Sequence, residues 1–170
     1  GENVDLQRLK KAIEETVEAH PYIKTTLMLD DNGDILQKRK DDFPFEVKIC
    51  KELQREELVK PYQLLGDRLF RIQLFDTQEG NYLFLEFHII SDGESCGIFL
   101  RDMNEAYNGK SLEKEKFSGY EVALVEQKAL QGQEYTLAKQ YYDGIFMGCD
   151  TDFLPAKDHR EETPGVGLYQ

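Results

Sequence analysis

The chain lacks most of the features that fix a function at once. Its three cysteines, Cys50, Cys96 and Cys149, are odd in number and widely spaced with no CxxC, so neither a disulfide framework nor a zinc site is indicated, and a reducing cytoplasmic setting fits. No apolar run approaches the length needed to cross a bilayer, and Gly1-Glu2-Asn3 begins no signal-peptide pattern. Positive charge is scarce: 21 basic residues against 33 acidic give a net charge of -12, which opposes binding to phosphate backbones and anionic lipid and argues against nucleic acid or a membrane as partner. No G-x-S-x-G surrounds Ser95, which disfavours a Ser-His-Asp hydrolase. Gly165-Val166-Gly167 lacks a third glycine and a following helix, which disfavours a dinucleotide loop.

What is present is a mixed pattern of helices and strands, in a length of 170 residues that suits one domain or one lobe of a larger one. Leu6, Leu9, Ile13 and Val17 recur at helical spacing, with Asp5 placed to cap the helix and Pro21 ending it after His20. Tyr22 to Leu29 reads as a strand, and Asn32-Gly33 signals a hairpin into Asp34 to Lys38. Phe45 to Ile49 suggests a further strand and Glu52 to Leu58 a short helix. Leu69 to Phe75 and Tyr82 to Ile90 read as a hairpin across the turn-rich Asp76 to Asn81. Cys96, Phe99, Leu100, Met103 and Tyr107 share one face of a helix from Glu94 to Asn108, which Asn108-Gly109 stops. Two more helices, Tyr120 to Leu130 and Glu134 to Phe146, are parted by Gly132, and an aperiodic tail follows Gly148. The stripe of Tyr135, Tyr141 and Tyr142 reads as packing surface.

The chemistry concentrates where the Tyr82 to Ile90 strand meets the Glu94 helix. Alternation puts Tyr82, Phe84, Glu86 and His88 on one face and the apolar Leu83, Leu85, Phe87 and Ile89 on the other. His88, Asp92 and Gly93 then fall on a strand-to-helix turn, where side chains and free amides are exposed. An imidazole with a reference pKa of about 6.5 can take or stabilise a proton near neutral pH. Gly93 permits close backbone approach, and amides at the helix start suit an oxyanion.

His88-x-x-x-Asp92-Gly93 followed by Ser95 resembles the HHxxxDG signature of nonribosomal peptide synthetase condensation domains, within the chloramphenicol acetyltransferase-like superfamily, with Phe87 in place of the first histidine. Ala19-His20-Pro21-Tyr22-Ile23-Lys24-Thr25-Thr26-Leu27 resembles the family's RHxxLRTxF motif, with Ala19 and Lys24 where arginines are usual. Pro61 to Arg71, Tyr107-Asn108-Gly109 and Asp158-His159-Arg160 resemble further family segments.

The resemblance implies an α/β fold, a two-layer sandwich resembling one acetyltransferase-like lobe, with a mixed or antiparallel sheet packed by helices. It implies a condensation-domain N-terminal lobe over residues 1–147 and an extended tail, 148–170, leading towards a C-terminal lobe that the chain does not contain. The activity implied is amide-bond formation between aminoacyl or peptidyl thioesters held on the 4'-phosphopantetheine arms of donor and acceptor carrier proteins. The isolated lobe is expected to be inactive and to bind no metal or cofactor of its own. His88 is implied as base or charge stabiliser and Gly93 as part of the catalytic turn. Asp92 is implied as a structural anchor, paired with Lys24; read from the residues alone, Asp92 equally suits a simple cap of the next helix with Lys24 exposed. Two other readings use the same residues: a related HxxxDG acyltransferase or epimerisation domain, and a non-catalytic lobe that docks carrier proteins.

Overall fold

The structure is a computed structural model that describes residues 4–42, 44–53, 58 and 60–149. The chain divides into two compact units, Gly1–Leu124 and Val125–Gln170. In the first, α1 (Leu6–Ala19) begins where the Asp5 carboxylate accepts the amides of Gln7 and Arg8, both at 3.0 Å, satisfying donors that the first turn leaves free. It ends at His20, before Pro21, as the sequence predicts.

Here the chain departs from the expected strand. Pro21–Lys24 is a turn of 3-10 helix, and β1 is only Thr25–Leu29. Proline suits the first position of such a turn, and the Tyr22 amide is held at 2.7 Å by the Glu115 carboxylate, so the segment coils before it extends. β1 pairs antiparallel with β2 (Ile35–Arg39). Their loop includes Gly33 at φ 86°, and Asp30 ties it by accepting the amides of Asn32 and Asp34.

The second sheet has the order β3–β4–β5, from β3 (Lys48–Cys50), β4 (Phe70–Thr77) and β5 (Gly80–Phe87). β3 runs parallel to β4, while β4 and β5 form the expected hairpin. β3 starts later than the sequence suggested, and the expected Glu52 to Leu58 helix falls largely outside the described residues. On β4 and β5 alternation holds: Phe70, Ile72 and Leu74 join Leu83, Leu85 and Phe87 against one core.

Ile13 and Val17 of α1 and Phe99 of α2 (Gly93–Tyr107) close that core from the helical side. Each such side chain, buried completely, contributes roughly 1.5–3 kcal/mol of hydrophobic stabilisation. The result is the expected two-layer α/β arrangement, helices over a mixed sheet. α3 (Gly119–Leu130) and α4 (Gln133–Phe146) follow, near the bounds the sequence gives. In the second unit Tyr141 meets Tyr142 edge-on at 5.2 Å and Tyr142 stacks on Phe146 at 6.3 Å. The tail after Gly148 lies beyond the described residues except for Cys149. No helix among the described residues is long and apolar enough to cross a membrane.

Candidate active site

β5 delivers His88 to the end of the sheet, where its amide donates to the Leu69 carbonyl at 2.9 Å and prolongs the β4–β5 ladder. The chain then turns sharply. The Ile90 amide returns to the His88 carbonyl at 2.7 Å, and Ile89 between them lies at φ 56°, a left-handed conformation that a β-branched residue rarely adopts. The expected strand to Ile90 therefore stops at Phe87, and Ile89 leaves the apolar face to stand 67% exposed. Phe87 stays inward, against Phe99 at 5.3 Å.

Three residues on, Asp92 caps α2. Its carboxylate accepts the Ser95 amide at 2.8 Å and the Ser95 hydroxyl at 2.7 Å, and these bonds hold its pKa below the ordinary carboxylate value. Gly93 is the first residue of α2. A Cβ there would meet nothing within 4 Å, and its φ is not left-handed, so the local fold does not require glycine. Its amide has no partner among the described residues.

His88 itself is exposed, and neither ring nitrogen is hydrogen-bonded among the described residues. One face of the ring is covered: Tyr62 stacks on it with centroids 4.9 Å apart and planes 23° from parallel. The Arg71 guanidinium also packs on the Tyr62 ring, 3.9 Å from its centroid. Arg71 sits directly opposite Glu86 in the β4–β5 register and donates to its carboxylate at 2.9 Å. The Tyr62 hydroxyl donates to the same carboxylate oxygen at 3.2 Å. Burial, with the nearby Glu86 charge, raises the Tyr62 pKa far above the usual phenol value, so the hydroxyl remains a donor.

Sequence reading did not single out Tyr62 or Arg71 as site residues. The available signal was Glu86: an acid inside an apolar strand, two residues before His88 on the same face, needs a cation on the neighbouring strand.

The expected Lys24–Asp92 pair is not formed. Lys24 lies in the 3-10 turn, not on a strand, and its buried ammonium donates to Glu18 of α1, while Asp92 is engaged by Ser95. The cause is the coiled entry to β1, which turns Lys24 back onto α1. His20 also does more than end α1. Its imidazole meets the Asp102 carboxylate at 2.8 Å and the Glu115 carboxylate at 3.5 Å, tying α1 to α2 and to the connector after it.

A mixed sheet under two helices, with a histidine–x3–Asp–Gly turn at the start of the second, defines a two-layer α/β lobe with the turn at its edge. The family model described as Condensation domain matches residues 1–166, and the chain belongs to that family. It is similar to bacitracin synthase 3 of Bacillus licheniformis, 26% identical over 179 aligned positions covering 96% of this chain and 3% of that protein. Surfactin synthase subunit 2 of Bacillus subtilis (strain 168) is 30% identical, over 85% of this chain and 4% of that protein.

Among solved structures, the X-domain from teicoplanin biosynthesis in complex with OxyB superposes with a TM-score of 0.76 at 22% identity, covering 95% of this chain and 40% of that one. The condensation domain of the Monacolin K polyketide synthase MokA gives a TM-score of 0.70 at 18% identity, covering 92% and 41%. This chain therefore spans well under half of each of these structures, and a few hundredths of the length of the two synthases.

Proposed function

We propose that the chain supplies the histidine-bearing lobe of a condensation domain that joins an acceptor amine to a donor thioester, both carried on phosphopantetheine arms of carrier proteins. The observation that supports this most is the His88 turn: an exposed imidazole whose nitrogens have no hydrogen-bond partner among the described residues, stacked on Tyr62 and followed by the start of α2. His88 takes the proton from the attacking nitrogen or stabilises its positive charge, and the Gly93 amide faces the developing oxyanion. Collapse of the tetrahedral species breaks the C–S bond, so that the donor arm leaves as its thiol, carrying the proton lost by nitrogen. Asp92 holds the turn by capping α2. Donor and acceptor carrier proteins are the partners, and a C-terminal lobe closes the opposite side of the site and excludes water.

The test places this sequence in a complete two-lobe domain supplied with loaded donor and acceptor carrier proteins. His88→Ala should reduce amide formation by about 10²–10⁴-fold without changing the fold, while the 170-residue chain alone should not turn over. Undiminished condensation by His88→Ala would overturn the assignment and favour a docking role. Epimerised product without condensation would favour the related isomerase.

A further inference from the structure

We propose that Tyr62 is a positioning residue for His88, its ring packed against both the Arg71 guanidinium and the His88 imidazole. The proposal rests on the reading above that His88 is the reacting imidazole. Tyr62 lies outside any helix or strand and is not anchored by a ladder of its own. Arg71 supplies the anchor from β4. One guanidinium nitrogen donates to the Lys60 carbonyl at 2.6 Å and to Glu86, and the other donates to the Pro61 carbonyl at 3.0 Å.

The planar guanidinium thus fixes the backbone on the N-terminal side of Tyr62 while its carbon stands 3.9 Å from the ring centroid, a combination of fork and ring contact that lysine cannot reproduce. Glu86 completes the fixture by binding both Arg71 and the Tyr62 hydroxyl. Because Glu86 and His88 are two residues apart on one strand face, the pedestal stands directly beside the imidazole.

The consequence for His88 is specific. An exposed histidine whose nitrogens lack partners has several accessible rotamers. Stacking removes those that would swing the ring through the Tyr62 plate, yet leaves the edge, where both nitrogens lie, free for a reactant. A hydrogen bond could fix the ring only by occupying a nitrogen; an aromatic face fixes it without doing so. Misplacing a reacting group by about 1 Å can cost roughly 10²-fold in rate, so Tyr62 acts on turnover without touching substrate.

The test has two readouts. In the 170-residue chain, NMR of the imidazole ring protons should show the ring-current shift of a stacked aromatic neighbour. Tyr62→Leu should abolish that shift and leave the ring averaging among rotamers, Tyr62→Phe should preserve it, and Arg71→Lys should reduce it. In a complete two-lobe domain, Tyr62→Leu should lower kcat by about 10–100-fold with little change in KM for the carrier-bound acceptor, and Tyr62→Phe should recover most of that loss. Backbone amide shifts of β4 and β5 report whether each variant is folded; if Tyr62→Leu unfolds, Arg71→Lys and Tyr62→Phe carry the comparison.

Identical His88 ring shifts in wild type and folded Tyr62→Leu, or equal kcat values, would overturn the proposal. Failure of the catalytic reading looks different: the ring-current shift would respond to Tyr62 as expected while His88→Ala left condensation intact.

Discussion

Glu18→Gln tests how the ammonium of Lys24 is satisfied, because the structure gives that charge a partner other than the aspartate the family motif implies. The Lys24 side chain is 6% exposed and that of Glu18 is 62% exposed, so water reaches one partner and hardly the other. Breaking a fully buried pair by removing one member costs about 3–5 kcal/mol, whereas an exposed pair contributes about 0–1 kcal/mol. Glutamine keeps an acceptor oxygen but no charge, which places the loss between these limits, at about 1–2 kcal/mol. In a chain of 170 residues that corresponds to a thermal midpoint lower by about 2–8 °C.

The assay is a double-mutant cycle with Lys24→Met, read by thermal and urea midpoints. In the Lys24→Met background the effect of Glu18→Gln should shrink to within about 0.5 kcal/mol. Asp92→Asn should weaken the α2 cap by the same amount whether or not Lys24 is present. An unchanged midpoint for Glu18→Gln would refute the reasoning. So would an Asp92→Asn effect that vanishes with Lys24→Met, since that would couple Asp92 to Lys24 after all.

Gly93→Ala should leave the thermal midpoint unchanged or raise it by up to about 1 kcal/mol equivalent, since no local contact or left-handed φ requires glycine there. In a complete domain it should still impair condensation, and unimpaired turnover would remove Gly93 from the site. Asp102 is held below its ordinary pKa: burial pushes it up, but hydrogen bonds from Arg101 and His20 outweigh this. Its stabilisation is therefore full above the unfolded value of about 3.9 and is lost as pH falls through the lower folded value; Asp102→Asn should flatten the acid limb of midpoint against pH, and parallel limbs would refute this. Ile89→Gly should relieve about 1 kcal/mol of left-handed strain against a similar entropic loss, giving a midpoint nearly equal to wild type; a fall beyond about 1.5 kcal/mol would show that the turn is not strained.

The elements best legible in the sequence were those whose signals are local. The Asp5 cap, the period of α1, the apolar alternation of β4 and β5, and the turn from His88 into α2 all follow from spacing alone. The 3-10 turn at Pro21–Lys24 was not legible. Pro21 reads equally as a helix stop and as the first residue of a new turn, and the choice is made by Glu115, 93 positions away, which accepts the Tyr22 amide. That one misreading put Lys24 on a strand face and gave it the wrong partner. β3 shifted for a similar reason: its limits are set by the parallel register with β4, Lys48 opposite Gln73 and Cys50 opposite Phe75, and not by its own composition. The Tyr62–His88 stack joins two segments through Arg71, and only the in-strand charge of Glu86 hints at it.

Where the chain breaks its own local rules, it does so within one turn. For backbone conformation alone, position 89 would favour glycine or asparagine, which tolerate a left-handed φ, yet it holds an exposed isoleucine. A structural histidine would have a hydrogen-bond partner, yet the nitrogens of His88 are free among the described residues. A helix start with open space around it would accept any good helix former, yet it carries Gly93. Each departure has small consequences for folding, but together they keep one side of the turn empty and its polar edges unengaged. Tyr62 covers one face of the imidazole, and among the described residues the nitrogens of His88 and the amide of Gly93 are left without partners for whatever approaches. On the proposed reading that is the acceptor amine meeting the donor thioester. The sites at which local stability is not maximised are then the sites that the reaction uses.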